Sequence, residues 1–276
     1  MITDADVERW LREDVGHHDV TNDVPGDTRG RLVAKEAGVA AGLDAAVAVF
    51  AYMGVDVVER VDDGASVSSG DVVLRTEGSA RETLRGERVA VNVAGHASGV
   101  ATKTRLAVDA AREVSDSVAV AATRKTTPGL RGVEKRAVVA GGGDTHRLDL
   151  SHMVMVKDNH IAEMGLEDAV AGFRERASFA TKIEVEAETR TEAARAASAG
   201  ADVVLLDNMT PEATTDAAVA VRDAAADAGR EVLVEASGGI TVDDVPAYAD
   251  AGVDVVSMGS LTHSADALDY SFRTGD

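Results

Sequence analysis

Six short Val-rich runs from about residue 117 onward do most to limit what this chain can fold into. They read Val118-Ala-Val-Ala, Met153-Val-Met-Val, Lys182-Ile-Glu-Val, Val203-Val-Leu-Leu, Glu231-Val-Leu-Val and Val253-Asp-Val-Val. Between them lie Ala-rich stretches with helical periodicity, over 161–177, 189–199, 211–228 and 242–251. Near-continuous apolar strands alternating with helices require cover on both faces, which predicts an α/β fold built on a parallel sheet or barrel. Six strands fall short of the eight of a full βα barrel, so an incomplete barrel is expected.

The first hundred residues read differently. A helix is expected over 3–13, an apolar helix over 43–53, strand-like pieces over 31–37 and 55–76, and a long helix over 79–114. These describe a separate α/β domain, placed at 1–99. The barrel domain is placed at 100–276, with its C-terminal tail returning to the first domain. Hydrophobic residues make up 45% of the chain but aromatics only 3%, so both cores must be built from Val, Ala and Leu.

Charge is distributed unevenly. The formal net charge is −20, yet the window 124–157 holds seven Lys/Arg (Arg124, Lys125, Arg131, Lys135, Arg136, Arg147, Lys157) against three acids. A cationic island in so acidic a chain would focus an anionic ligand. Nucleic acid is excluded as a partner: the rest of the surface repels phosphate and aromatics for stacking are scarce. With no cysteine there are no disulfides or thiolate metal sites. The histidines lack zinc-site spacing, and His17, His18, His96 and His263 read as structural or surface residues. No apolar run approaches the ~20 residues of a membrane span, and no signal peptide is evident, so a cytoplasmic protein is expected. Only six of the 28 basic residues are lysines. Few lysines and excess carboxylate suggest a halophilic protein, because molar salt screens self-repulsion to ~3 Å.

In βα barrels ligand groups gather at the C-terminal strand ends. Here those ends carry Thr123-Arg124-Lys125, Lys157-Asp-Asn-His160, Glu186, Asp207-Asn208, Ser237-Gly238-Gly239 and Met258-Gly259-Ser260. The last two can bring backbone N–H groups against a phosphate. Glu186 and Asp207 are oxygen ligands suited to Mg²⁺, the alternative for either being an internal salt bridge. Glu184 shares the Glu186 face by strand alternation, so the two are not distinguished. His146-Arg147 follows Gly141-Gly-Gly-Asp-Thr, a loop flexible enough to close on a ligand. Arg131, past Pro128-Gly129, is expected to begin a helix.

These stretches resemble quinolinate phosphoribosyltransferase. The resemblance runs through Thr123-Arg-Lys-Thr-Thr-Pro-Gly-Leu-Arg131, Gly141-Gly-Gly with His146-Arg147, Val156-Lys-Asp-Asn-His160, Ile183-Glu-Val-Glu186, Leu205-Leu-Asp-Asn208, Glu235-Ala-Ser-Gly-Gly239 and Met258-Gly-Ser-Leu-Thr-His-Ser264. Weaker agreement at Glu13-Asp-Val-Gly16, Asp19-Val-Thr21 and Glu87-Arg88 extends it over almost the whole chain. It implies the type II phosphoribosyltransferase architecture: an N-terminal α/β sandwich and an incomplete α/β barrel, in a homodimer whose N-terminal domains cap the partner's barrel. The implied reaction, a step of NAD biosynthesis, joins quinolinate to phosphoribosyl pyrophosphate with Mg²⁺. It yields nicotinate mononucleotide, pyrophosphate and CO₂. Arg124, His146, Arg147 and Lys157 would hold the quinolinate carboxylates, with Arg88 entering from the other subunit. Lys125 would touch the pyrophosphate side, Glu186 and Asp207 the ribose and Mg²⁺, and residues 237–239 and 258–260 the 5′-phosphate, with Thr123 also among the substrate-binding residues. Lys125, Lys157, Glu186 and Asp207 would be the catalytic set. Asp149, His152 and His18 depart from the usual pattern. A related phosphoribosyltransferase with another acceptor, or a non-catalytic phosphoribosyl pyrophosphate sensor, are the rival readings.

Overall fold

A computed structural model describes residues 2–275. The chain forms two compact units. One comprises the residues up to Arg105, residues 126–142 and those from Ser264 on; the other comprises 106–125 and 143–263. In chain order the strands are β1 (Asp27–Ala34), β2 (Gly38–Val39), β3 (Asp56–Arg60), β4 (Ser66–Val67), β5 (Val72–Ser79), β6 (Ala119–Ala121), β7 (Val154–Val156), β8 (Ile183–Ala187), β9 (Val203–Asp207), β10 (Leu233–Ser237), β11 (Val255–Ser257) and β12 (Tyr270–Thr274).

The first unit carries an antiparallel sheet in the order β12-β1-β5-β3, with β2 and β4 paired separately. Helix Leu43–Tyr52 buries Leu43, Ala46, Val49 and Phe50, and the Phe50 ring stacks on Phe272 of β12 at 5.5 Å. The long helix Ala80–Arg112 starts in this unit. It contains Gly99, where a Cβ would stand 1.9 Å from the Asp266 carbonyl oxygen. Glycine is unfavourable inside a helix by ~1 kcal/mol relative to Ala, but here only glycine lets the C-terminal segment approach. That segment ends in β12, whose pairing with β1 joins residues some 240 apart in the chain (Gly30 with Thr274).

The second unit is a six-stranded parallel sheet in the order β6-β11-β10-β9-β8-β7. β6, first in sequence, lies beside β11, the last, as barrel closure requires, whereas β6 and β7 are not paired. The barrel is therefore incomplete, as expected from the six apolar runs. One strand face buries Val120, Val156, Ile183, Val185, Val204, Leu206, Val234, Ala236 and Val256 against helix residues such as Ala193, Ala196, Ala197, Ala217 and Val221. The small alanines allow helices to sit close to the sheet, so methyl-sized side chains fill the space that aromatics fill elsewhere. Strand alternation puts Met155, Glu184, Glu186, Leu205, Asp207, Glu235, Ser237 and Ser257 on the opposite, inner face.

Two helices differ from the sequence expectation. The stretch 161–177 forms two helices, Asp158–Met164 and Leu166–Arg176, because Gly165 between them takes φ 79°, outside helical space. Residues 242–251 divide into a 3₁₀ turn, Val242–Asp244, and a short helix, Val245–Asp250. Arg131 is the first residue of helix Arg131–Ala140.

Candidate active site

The site is built in the second unit, where successive strand ends and the loops beyond them present their side chains. At the end of β6, the Lys125 N–H donates to Thr123 Oγ1 at 3.1 Å. The Lys125 carbonyl accepts from buried Thr262 Oγ1 at 2.6 Å, so the turn after β11 grips the turn after β6. A Cβ at Gly259 would lie 2.8 Å from Lys125 Cδ. Lys125 is exposed, while Thr123 and Arg124 are half-buried.

Residue 144 runs alongside β6: the Ala122 N–H donates to the Asp144 carbonyl and the Asp144 N–H to that of Val120. This leads the chain into His146, whose φ of 50° is left-handed and uncommon for a non-glycine residue. The Asp144 carboxylate accepts the His146 N–H at 2.6 Å and holds the turn. His146 Nε2 then reaches inward, 3.1 Å from Glu235 Oε2 and 3.5 Å from Glu184 Oε1. Both glutamates are buried, at 0% and 2% exposure. Burial alone would lower the His146 pKa, but its close contacts with Glu184 and Glu235 outweigh burial and raise it to about 10, although neither Glu184 oxygen has a hydrogen-bond donor among the described residues. Burial pushes the Glu184 carboxyl up, partly countered by His146 and Arg147. The donor atoms of His146, Glu184 and Glu235 lie within 4.8 Å of one another.

Arg147 is buried and donates from one terminal nitrogen to Met155 Sδ at 2.9 Å, a weak acceptor. Its buried Nε has no acceptor among the described residues. Desolvation lowers its pKa; Glu184 supports its charge and Arg124 opposes it, which places these cations in one electrostatic neighbourhood. The guanidinium nevertheless stays protonated.

Lys157, at the end of β7, forms an ion pair with Glu186, while its N–H donates to His160 Nδ1 and closes the first turn of helix Asp158–Met164. Burial raises the Asp207 pKa and repulsion from Glu186 adds to it; Lys157 and Lys125 act the other way. Asn208 (φ 56°) donates from Nδ2 to Asp207 Oδ2 at 2.7 Å and from its N–H to the Ser237 carbonyl. Gly238 packs against this residue with φ 99°, and a Cβ there would fall 2.3 Å from Asn208 Oδ1. Gly239, by contrast, faces open space. Met258 is buried, and Gly259 and Ser260 are half-buried.

Thus Thr123, Arg124, Lys125, His146, Arg147, Lys157, Glu186, Asp207, residues 237–239 and residues 258–260 all belong to the second unit. Arg88 does not: it lies exposed on helix Ala80–Arg112 in the first unit, 3.5 Å from Glu87. Glu184 and Glu186 differ in depth: Glu184 is sealed beneath His146, while Glu186 meets Lys157. Sequence reasoning assigned no role to Glu235. Its signal was an acid inside an apolar strand, Val234-Glu235-Ala236, a position that is costly without a partner.

An open α/β barrel with arginines, a lysine and an imidazolium facing carboxylates at its strand ends defines a barrel enzyme for polyanionic substrates. Family models extend that class. Residues 19–98 match the N-terminal domain, and 100–273 the C-terminal domain, of quinolinate phosphoribosyl transferase. The chain is 44% identical over 277 residues to a Methanothermobacter thermautotrophicus protein named "Probable nicotinate-nucleotide pyrophosphorylase [carboxylating]", covering 97% of each chain. It is 42% identical to the human nicotinate-nucleotide pyrophosphorylase [carboxylating], over 97% of this chain and 90% of that one. The crystal structure of NadC from Streptococcus pyogenes superimposes with a TM-score of 0.89 at 39% identity, covering 100% of this chain and 99% of that one. The chain belongs to the quinolinate phosphoribosyltransferase family.

Proposed function

We propose that this chain transfers the phosphoribosyl group of phosphoribosyl pyrophosphate to quinolinate with loss of CO₂, forming nicotinate mononucleotide and pyrophosphate in NAD biosynthesis. The observation that carries this reading is the pairing of family membership with a buried cationic wall. Arg147 presents a buried Nε that has no acceptor among the described residues, in the field of Arg124 and a charged His146. A dicarboxylate supplies the acceptor that the Arg147 Nε lacks among the described residues, and Arg forks match carboxylates in plane.

Arg124, His146, Arg147 and Lys157 hold the quinolinate carboxylates and align the ring nitrogen with the ribose carbon, which turns a bimolecular reaction into a positioned one. Positive charge develops at that carbon as pyrophosphate leaves. Glu186 and Asp207 face it, and Thr123 and Lys125 face the leaving group. Ser237, Gly238 and Gly239, with Met258, Gly259 and Ser260, bind the 5′-phosphate through backbone N–H groups. After transfer, loss of CO₂ leaves its electron pair on the adjacent ring carbon, where the cationic ring nitrogen stabilises it, and a proton taken up from solvent completes the C–H bond, so no side chain need act as a base.

Glu186 and Asp207 also fit Mg²⁺. Burial, and after it repulsion from Glu186, raises Asp207, and a hard cation bound through one or two carboxylates and substrate phosphates relieves that repulsion. Mg²⁺ held there would supply positive charge to the departing pyrophosphate.

The same reading includes a cytoplasmic homodimer with Arg88 donated by the second copy, and a salt-adapted surface, supported by the net charge of −20 and six lysines. Release of CO₂ from quinolinate tests the activity: turnover of nicotinate instead would overturn it. Mixing Arg124→Ala with Arg88→Ala protein should restore part of the activity if sites are shared. Unfolding midpoints that fail to rise with molar KCl would remove the salt adaptation.

A further inference from the structure

We infer that Glu184 and Glu235 are positioning residues for acceptor recognition: together they orient the His146 ring through Nε2 and hold it as a cation, leaving Nδ1 to donate to an anionic acceptor. This rests on the quinolinate reading above and extends it to two acids that touch no substrate themselves.

The geometry leaves little choice of hydrogen-bond roles. Glu235 Oε2 and Glu184 Oε1 approach the same imidazole nitrogen at 3.1 and 3.5 Å, from β10 and β8 respectively. A carboxylate oxygen accepts, which assigns the Nε2 proton to the hydrogen bond with Glu235, with Glu184 Oε1 at 3.5 Å as an electrostatic partner. With that nitrogen committed, Nδ1 is the ring's one remaining polar atom. If the ring were neutral, Nδ1 would be an acceptor and would repel a carboxylate; as a cation it donates.

Charge accounting points the same way. Two carboxylates this deep are costly unless cations match them. His146 and Arg147, consecutive in the chain, match them one for one. Glu184 supports the charge of Arg147 as well as that of His146. The charged groups facing His146 are Glu184 from β8, Glu235 from β10 and Arg147 of its own loop. Arg124 acts through Arg147, and Asp144 engages only the backbone N–H. The raised His146 pKa is in line with this arrangement. His146, Glu184 and Glu235 could also ligate a divalent metal, but the Arg147 charge beside them favours a proton in that place.

Nitrogen-15 NMR of histidine-labelled full-length protein, with His146 assigned by loss of its signals in His146→Gln, reads the ring directly. Both ring nitrogens are expected to be protonated at pH 8. A neutral His146 at pH 8 would overturn the inference, and this measurement on the wild type needs no Glu variant to fold. In Glu235→Gln, the KM for quinolinate at pH 8 should rise about tenfold while kcat at saturation stays within about twofold, with a smaller KM effect at pH 6. A fall in kcat with unchanged KM, or a stoichiometric transition metal that purifies with the wild type and is lost in Glu235→Gln, would also overturn it. A charged His146 in a protein that does not turn over quinolinate would sink the acceptor reading while leaving the ring's positioning intact.

Discussion

Two histidines of this chain meet buried glutamates, and the two arrangements differ in stoichiometry. In the first unit, fully buried Glu134 accepts from His96 Nε2 at 2.9 Å and from the Thr127 N–H at 3.2 and 3.1 Å, so both its oxygens have donors. In the barrel, two buried glutamates face one imidazole, and Glu235 Oε1 has no hydrogen-bond donor among the described residues. The first is a carboxylate with its donors supplied by the fold, which ties the 126–130 turn to helices Ala80–Arg112 and Arg131–Ala140. The second sets two buried carboxylates against two cations, His146 and Arg147, in place of donors supplied by the backbone. Buried charges are costly to retain, and clusters of this kind gather at functional sites.

Substitutions should separate the two cases. His146→Ala leaves two buried carboxylates without their imidazolium and should cost roughly 3–5 kcal/mol in urea unfolding. Arg124→Ala should lower kcat/KM for quinolinate by about two to three orders of magnitude, because a desolvated charge pair is lost. His96→Ala should cost only about 1–3 kcal/mol, since Glu134 keeps the Thr127 N–H. If it costs as much as His146→Ala, the contrast fails.

The pH dependence sharpens the same point. The folded-state pKa of His146 is raised from 6.5 to about 10, so its stabilising charge is fully present below pH 6.5. It should be lost as pH climbs toward 10, and urea midpoints measured across that window should fall in the wild type but not in His146→Ala. The smallest effect belongs to an exposed carboxylate. Arg195 grips Glu167 through three hydrogen bonds, yet both side chains are more than half exposed, and Arg195→Ala should change stability by about 1 kcal/mol or less.

Much of the architecture was legible because its signals are local. The Val-rich runs became β6 to β11, and Thr210-Pro211 starts helix Pro211–Asp227 with a side-chain cap and proline in the first turn. Gly165 was read through as helix because a single glycine costs little in a periodic pattern; its positive φ reveals the break. β12 was not drawn as a strand, since Tyr270-Ser-Phe-Arg-Thr274 has no run of apolar residues and draws its order from pairing with β1. In the site, the types and spacing of Arg124, Lys157, Glu186 and Asp207 stood out at strand ends. The service of Glu184 and Glu235 to His146 did not, because parity tells which face a residue takes and not how deep it lies.

By itself, the sequence determined the parallel α/β class, the cationic strand ends and the family, all properties of residue type and near-neighbour spacing. Only the tertiary structure decided which of Glu184 and Glu186 is buried, that Glu235 joins it from two strands away, and that one imidazole stands over both. Those relations depend on strand order and register, β10 beside β9 beside β8, and the energies that follow from them depend on burial, which no single segment encodes.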